Sequence, residues 1–183
     1  FVRDSAHQLR TPLAVLKAQV QSAQRGDVPA EQALEEINVT VDRATQLANQ
    51  MLSLAKVEQL RQQPESATLD FAQVVRGIAL DLSPLMADKA LDVGIDTEAA
   101  PVHAHQWMLA ELSRNLIHNA IKHSPRSGQL AIELRPHAGM AVLTVRDDGP
   151  GISAELRQRL FAPFAAGDVA KGSGLGLAIC KEI

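Results

Sequence analysis

The amino-acid sequence predicts an all-α helical hairpin that pairs with a second copy as a dimeric four-helix bundle, followed by a layered α/β sandwich. Only Gly26 falls within the first 76 residues, whereas six of the eleven glycines lie between residues 149 and 176. Glycine inside a helix costs about 1 kcal/mol relative to alanine, so a glycine-poor segment favours long helices. The apolar pattern is helical before Pro64 and mixed after it. We therefore expect two domains, residues 1–63 and 64–183.

The composition excludes several classes of protein. With 183 residues, 46% of them hydrophobic and 21% charged, the chain suits a soluble globular protein. A net charge of -3 and 3% aromatic residues argue against nucleic-acid binding. The single cysteine, Cys180, rules out an internal disulfide framework and indicates a reducing cytoplasm. No apolar run approaches the roughly 20 residues that span a bilayer, so we expect no direct membrane contact from this segment.

Two helices make up the predicted hairpin. The first carries apolar residues three and four apart, at Ala6, Leu9, Leu13, Leu16 and Val20. Residues 26–29 break it, and a second helix runs from about Glu31 with its stripe at Ile37, Val41, Ala44, Ala48, Met51 and Ala55, widened by Leu47 and Leu54. Two helices alone leave much of these stripes in water, and each exposed Leu or Ile forfeits roughly 1.5–3 kcal/mol. We therefore expect a homodimer.

The second domain mixes helices and strands without a regular strand-helix-strand repeat, which favours a layered sandwich. Asp70 is the expected N-cap of a helix from Phe71 to about Ala87, preceded by a short strand at 68–69. The remaining predictions are strands at 91–95, 129–135 and 140–146, and helices at 106–123 and 153–160.

The first candidate site is the sequence from His7 to Pro12. The apolar seam leaves His7 on the solvent side, where an imidazole is free to react. Pro12 lacks an N–H and crowds the carbonyl of Gln8, so we expect a bend just beyond the histidine. A lone exposed histidine usually has no function, but one that lies a turn before a helix-interior proline, with Arg10 and Thr11 in reach, is less ordinary.

The second candidate site is one face of the helix over 106–123. Helical geometry places polar side chains together there, at Glu111, Asn115, His118, Asn119 and Lys122. Amide oxygens suit Mg²⁺, which takes hard oxygen ligands and retains waters and substrate phosphates. A lysine adds a point charge that attracts phosphate. The alternative interpretation is a solvated helix face.

Two glycine-containing segments complete the set of candidate sites. Asp147 follows a strand, where its carboxylate can accept a hydrogen bond from an adenine amino group, and Gly149 and Gly151 allow the backbone to approach a ring. Further along, Gly172, Gly174 and Gly176 open a helix whose free N–H groups attract phosphate. Each segment is weak evidence alone, since the first could be a plain turn.

In this order and spacing, the four sites resemble the cytoplasmic core of a bacterial sensor histidine kinase of a two-component system, over essentially the whole chain. The resemblance identifies an H box (7–12), an N box (115–124), a first glycine box (147–151), an F box (161–164) and a second glycine box (172–176). It implies that residues 1–63 are the dimerisation and histidine phosphotransfer domain. Residues 64–183 are then the ATP-binding domain, of the fold shared with gyrase and the heat-shock chaperone ATPases.

The activity that the resemblance implies is phosphoryl transfer, which depends mainly on positioning and charge neutralisation. His7 would attack the γ-phosphorus of ATP and pass the phosphoryl group to an aspartate of a response regulator. Gln8, Arg10 and Thr11 complete the catalytic segment, with Thr11 positioning water for a reverse phosphatase reaction.

The resemblance also implies where the cofactors ATP and Mg²⁺ lie. Asn115 would carry Mg²⁺ with help from Asn119, Lys122 would meet the phosphates, and Asp147 would hold adenine with His123 against the ring. The segment from Phe161 to Lys171 would act as a lid. The other nucleotide-binding residues implied are Gly149, Gly151, Phe161, Phe164, Lys171, Gly172, Gly174, Leu175 and Gly176.

Two departures from the family pattern keep alternatives open. Gln8 stands where an acidic general base is usual and cannot accept a proton. The lid lacks an expected arginine after Phe164, which Lys171 could replace. One alternative is an ATPase of the same fold without phosphotransfer, with Glu111 activating water. The other is a catalytically weak dimeric scaffold, a pseudokinase.

The resemblance further predicts that this chain is the central piece of a longer protein, truncated at the C-terminal end of its ATP-binding domain. The parent protein is expected to be anchored in the inner membrane by a sensor segment, which leaves this piece in the cytoplasm.

Overall fold

The structure is a computed structural model that describes residues 2–63, 67–163 and 174–183. Its first part is a hairpin of two long helices, α1 (Val2–Arg25) and α2 (Ala30–Arg61). Gly26 makes the turn with φ +75°, a conformation that glycine adopts without steric cost. The predicted helical hairpin is therefore confirmed, and α1 continues through Pro12.

Helix α2 buries Leu47 and Leu54 of the predicted stripe and leaves other members of that stripe more exposed. Its buried residues fall seven apart, at Ala33, Thr40, Leu47 and Leu54, with Val57 beyond them. In the predicted stripe, Val41 is 41% exposed and Ile37 is half-buried. On α1, Leu13 is 56% exposed. A single chain thus covers one face of its hairpin and leaves a second apolar face in water.

The second part is an α/β unit, as predicted. Its elements follow in the order β1 (Thr68–Asp70), α3 (Phe71–Asp81), α4 (Ser83–Asp88), β2 (Asp92–Thr97), β3 (Pro101–His103), α5 (Gln106–His123), β4 (Gln129–His137), β5 (Met140–Asp147), α6 (Ala154–Gln158) and α7 (Gly176–Glu182). Asp70 caps α3 as expected, because its carboxylate accepts a hydrogen bond from the Ala72 N–H at 3.1 Å.

Within the residues that the structure describes, the strands form two sheets. In the larger, β4 lies in the centre, parallel to β2 and antiparallel to β5. In the smaller, β1 pairs antiparallel with β3. Alternate residues of β4 are fully buried, at Leu130, Ile132 and Leu134, and join the core formed with α3 and α5. This two-layer packing fixes α5 above the sheet.

One predicted helix is two helices. The segment expected to be continuous from Phe71 to about Ala87 breaks at Leu82, because Pro84 has no N–H to donate and crowds the carbonyl four residues before it. The sequence pattern places Val74, Ile78, Leu82 and Leu85 on one face of a continuous helix, but Leu85, which lies beyond the break, is 44% exposed. The pairing of β1 with β3 was not predicted, because a three-residue strand has too little pattern to recognise.

The hairpin and the α/β unit meet in a group of apolar residues that we call the junction cluster. Its buried members come from α2, α5 and the segment that leads into and forms α7, namely Leu47, Leu54, Val57, Met108, Leu175 and Ile179. Lys56 Nζ lies 4.3 Å from the centre of the Trp107 ring, and Arg61 donates to Glu182 at 2.7 Å. Helix α7 therefore packs directly on the hairpin.

Candidate functional site

The N-box helix α5 presents Asn115 with a fixed amide. Its Nδ2 donates to the main-chain oxygen of Glu111 at 2.9 Å and to Glu111 Oε1 at 3.1 Å. The opposite atom, Oδ1, lies 3.0 Å from where a Cβ at residue 176 would stand, so Gly176 leaves room for this amide. The N box and the second glycine box therefore meet at Asn115, a contact that the sequence did not predict.

At the other end of α5, the first glycine box packs against the helix terminus. Asp147 Oδ1 accepts a hydrogen bond from the Gly149 N–H at 3.0 Å. A Cβ at Gly149 would lie 2.6 Å from that carboxylate oxygen and 2.7 Å from the His123 carbonyl oxygen. Only glycine fits such a close approach, and Gly151 beside it has φ +75°. The structure thus brings Asp147 and His123 together.

The next carboxylate, Asp148, has a structural role that sequence reasoning missed. Its Oδ2 accepts the Gln129 N–H at 3.0 Å, and its Oδ1 lies 2.5 Å from a Cβ built on Gly128. Asp148 therefore ties the end of β5 to the start of β4, beside the turn that carries Asp147. The sequence feature that could have indicated this role is Gly128, which directly precedes the buried strand β4.

The charge of the site is set mainly by burial. Burial lowers the pKa of His123, and the neighbouring Lys122 lowers it further against the opposing effect of Asp147. Burial also lowers the pKa of Lys122. The pKa of His118 is lowered by burial and then by Lys122 and Arg114. A lowered pKa favours the neutral imidazole, so His123 presents an uncharged aromatic face at neutral pH.

The donor set at α5 suits Mg²⁺ held jointly with a phosphate substrate. The residues that the structure describes contain no group of three or more His, Cys, Asp or Glu side chains arranged for a metal. Asn115 Oδ1, directed away from the two hydrogen bonds of its own amide nitrogen, is an oxygen ligand of the kind that Mg²⁺ takes alongside waters and phosphate oxygens.

The remaining predicted site residues lie in α1, in the lid and the second glycine box, and on α5. His7 and Gln8 lie in the first turns of α1, where Arg10 and Thr11 are exposed. Of the lid and the second glycine box, Phe161 is 47% exposed, Gly174 has φ +68°, and Leu175 is fully buried in the junction cluster. Phe164, Lys171 and Gly172 lie outside the described residues. Asn119 is half-buried on α5, one turn beyond Asn115.

Comparison with known families identifies both parts of the chain. The family model of the His Kinase A (phospho-acceptor) domain matches residues 1–60. The family model described as histidine kinase-, DNA gyrase B- and HSP90-like ATPase matches residues 105–183. Together they define a protein with a phosphoacceptor hairpin joined to an ATP-binding domain.

Individual relatives agree. The chain is 33% identical over 192 residues to the sensor protein QseC of Salmonella typhimurium and 33% identical over 185 residues to the sensor protein kinase PmrB of Pseudomonas aeruginosa. The matches cover 100% and 98% of this chain but 41% and 39% of those relatives, so the chain spans about two fifths of their length. Among solved structures, the histidine kinase AdeS of Acinetobacter baumannii has a TM-score of 0.75 and 26% identity, covering 96% of this chain and 84% of that one.

The chain belongs to the bacterial sensor histidine kinases, whose phosphoacceptor and ATP-binding domains it contains. Across the part of the chain that the structure describes, no helix combines the length and apolarity needed to cross a membrane.

Proposed function

We propose that this chain catalyses ATP-dependent phosphorylation of His7 and transfers the phosphoryl group to an aspartate of a response regulator. The observation that carries the proposal is the convergence on α5, where Asn115 meets Gly176 and His123 meets the turn of Asp147 and Gly149. Two segments far apart in sequence thus reach one helix, in a chain whose other part is a phosphoacceptor hairpin.

In this proposal the nucleotide lies along α5. Asp147 accepts a hydrogen bond from the adenine amino group, and the neutral ring of His123 packs on the base. Lys122 neutralises phosphate charge, and Asn119 assists Asn115, whose Oδ1 would hold Mg²⁺. The metal supplies charge neutralisation to the phosphates. Gly151 and the glycines of the second glycine box allow the backbone to approach the nucleotide, with Phe161, Phe164 and Lys171 completing the predicted contacts. Leu175 was predicted among them, but it is fully buried in the junction cluster and packs there instead.

The chemical step moves one phosphoryl group. An unprotonated imidazole nitrogen of His7 forms a bond to the γ-phosphorus as the bond to the bridging oxygen breaks, and ADP leaves. The proton on the other ring nitrogen passes to solvent, because Gln8 cannot accept it. The aspartate of the regulator then takes the phosphoryl group from His7. In the reverse direction we propose that Thr11 positions water for dephosphorylation.

A response regulator as partner is supported by a structural neighbour. The histidine kinase ThkA has been solved in complex with the response regulator protein TrrA, and this chain shares its fold with a TM-score of 0.70 at 18% identity. A homodimer is supported by the apolar face that the single hairpin leaves exposed. We place the division between the two domains at residues 63 and 64.

We further propose that the full protein is membrane-anchored, since the relatives carry the names of sensor proteins and extend well beyond the matched segment.

The competing ATPase hypothesis depends on Glu111. In the structure that carboxylate accepts a hydrogen bond from Asn115 Nδ2 at 3.1 Å, which makes it a support for the N-box amide. The scaffold hypothesis depends on Gln8, but an unprotonated imidazole is a nucleophile without a neighbouring base. Neither alternative explains a phosphoacceptor hairpin joined to Asn115, Asp147 and the glycine boxes.

The test incubates the chain with γ-labelled ATP and Mg²⁺ and compares the wild type with His7→Gln. We expect acid-labile, alkali-stable label on the wild type and its loss in the variant, with nucleotide affinity unchanged. Label that persists without His7 would contradict the assignment. ATP hydrolysis without any labelled protein would favour the ATPase, and nucleotide binding without hydrolysis or label would favour the scaffold.

A further inference from the structure

Lys89 follows α4 and makes an unusual set of contacts for a lysine. Its Nζ donates hydrogen bonds to three main-chain carbonyls, those of Ile121, Lys122 and Ser124, each at 2.8 Å. An ammonium group has three protons, so these bonds use all of them. The residue is half-buried, and it lies outside every motif of the sequence.

The three carbonyls belong to the end of α5, where helix geometry leaves oxygens without partners. Ile121 would be paired with the N–H of residue 125, but that residue is Pro125, which has none. The end of a helix also carries a partial negative charge, which a nearby cation offsets. Lys89 therefore supplies both the donors and the charge that this helix end lacks.

The segment that Lys89 holds carries predicted nucleotide contacts. Lys122 and His123 lie within it, and the His123 carbonyl packs against Gly149, whose N–H is bonded to Asp147. The Lys89 main chain contributes as well, since its carbonyl accepts the Ser127 N–H at 2.8 Å. One residue thus fixes the end of α5 and the loop that follows it.

We propose that Lys89 is a positioning residue for nucleotide binding, holding the end of α5 so that Lys122, His123 and the Asp147 turn keep the arrangement that binds ATP. The inference rests on the proposed function, because it takes α5 as the nucleotide site. ATP brings negative phosphates towards a helix whose end is itself partly negative, and the ammonium of Lys89 removes that repulsion.

The first experiment compares Lys89→Met with Lys181→Met in the full chain. Methionine keeps most of the length of the side chain and removes its donors and charge, while Lys181 is an exposed lysine of α7 and serves as the control. We expect ATP to bind Lys89→Met about tenfold or more weakly by calorimetry, the effect of losing charge-assisted hydrogen bonds. Lys181→Met should bind as the wild type does.

The second experiment separates positioning by charge from simple packing. Lys89→Cys is alkylated with 2-bromoethylamine, which rebuilds a lysine analogue, or with 2-bromoethanol, which gives a neutral adduct of similar length. Both reactions use Lys89→Cys in a Cys180→Ala background, which leaves the introduced thiol as the single cysteine. We expect the amine adduct to regain ATP affinity and the neutral adduct to remain weak.

The outcomes keep the two proposals apart. A wild-type chain that binds no ATP overturns the nucleotide site itself. A wild type that binds ATP, with Lys89→Met of equal affinity or with the neutral adduct restoring as much as the amine, overturns the role of Lys89 alone. If Lys89→Met fails to fold, the adduct pair still decides, because both derive from one purified variant.

Discussion

At the scale of single residues, the candidate site depends on groups whose orientation is fixed by neighbours. The sequence places Glu111 and Asn115 one turn apart on α5, and this spacing predicts contact. It does not predict that both hydrogen bonds of the Asn115 amide nitrogen go to Glu111. These bonds direct the amide oxygen towards Gly176. Lys89 is harder still to foresee, because its three partners are main-chain atoms more than 30 residues away.

The pair of Glu111 and Asn115 gives the first prediction. Asn115→Asp places two carboxylates where the structure has a hydrogen bond of 3.1 Å, and like charges at that distance disfavour each other. We expect weaker binding of ATP in the presence of Mg²⁺ by calorimetry, partly restored in Asn115→Asp/Glu111→Gln, because glutamine can donate to the new carboxylate. If both variants fold and the double variant binds ATP no better than Asn115→Asp, then Glu111 does not orient residue 115.

Cys180 gives the second prediction. Burial raises its pKa to about 12, and its thiol approaches the Leu112 carbonyl at 3.9 Å. We expect a disulfide reagent to label the native chain very slowly at pH 8 and quickly after unfolding in urea.

The raised pKa of Cys180 also determines whether the free energy of unfolding rises or falls with pH. The unfolded thiol ionises near its ordinary value of 9.0 and the folded thiol only near 12, so the unfolded state binds fewer protons between them. This group therefore lowers the free energy of unfolding as pH rises from about 9 to 12, and Cys180→Ala should lose that component. In the labelling experiment at pH 8, rapid reaction of Cys180 in the native chain would contradict the burial of α7 against α5.

At the scale of helices and strands, strong periodicity predicted most of the fold. The hairpin, α5 and the strands β4 and β5 follow from their patterns. The break at Leu82 was missed although Pro84 was visible, because the apolar spacing continues across it. The burial of Leu175 and Ile179 against α2 could not be predicted, because contact between the hairpin and the α/β unit depends on how the two parts are arranged.

The junction cluster gives the third prediction. Ile179 is fully buried among residues of α2 and α5, so Ile179→Ala removes packed methyl and methylene groups and leaves a cavity. We expect the free energy of unfolding to fall by about 2–4 kcal/mol in urea titrations followed by circular dichroism. Leu80 is 74% exposed, and Leu80→Ala is the matched control, with an expected change within about 0.5 kcal/mol. Equal effects of the two variants would contradict the packing of α7 at the junction.

At the scale of the whole molecule, the hairpin has two apolar faces and one chain covers only one. The buried face runs through Ala33, Thr40, Leu47 and Leu54. The exposed apolar residues include pairs seven apart on each helix, Leu13 with Val20 and Leu34 with Val41, which is the spacing of a seam between packed helices. The sequence predicted that two helices alone leave part of the apolar stripe in water, and Val41 is a member of the predicted stripe that stays exposed.

The apolar face that one chain leaves exposed, with Leu13, Val20, Leu34 and Val41, gives the last prediction. If a second copy covers it, then Leu34→Glu/Val41→Glu places charges in a buried seam, where an unpaired charge is strongly unfavourable. We expect light scattering to give twice the chain mass for the wild type and the single-chain mass for the variant, with circular dichroism showing retained helices. Leu80→Glu introduces a charge at an exposed leucine of α3 and should remain dimeric. A wild type of single-chain mass at micromolar concentration would overturn the dimer. It would also leave the exposed residues of both helices unexplained, because about 1.5–3 kcal/mol of burial is lost for each large side chain that stays in water.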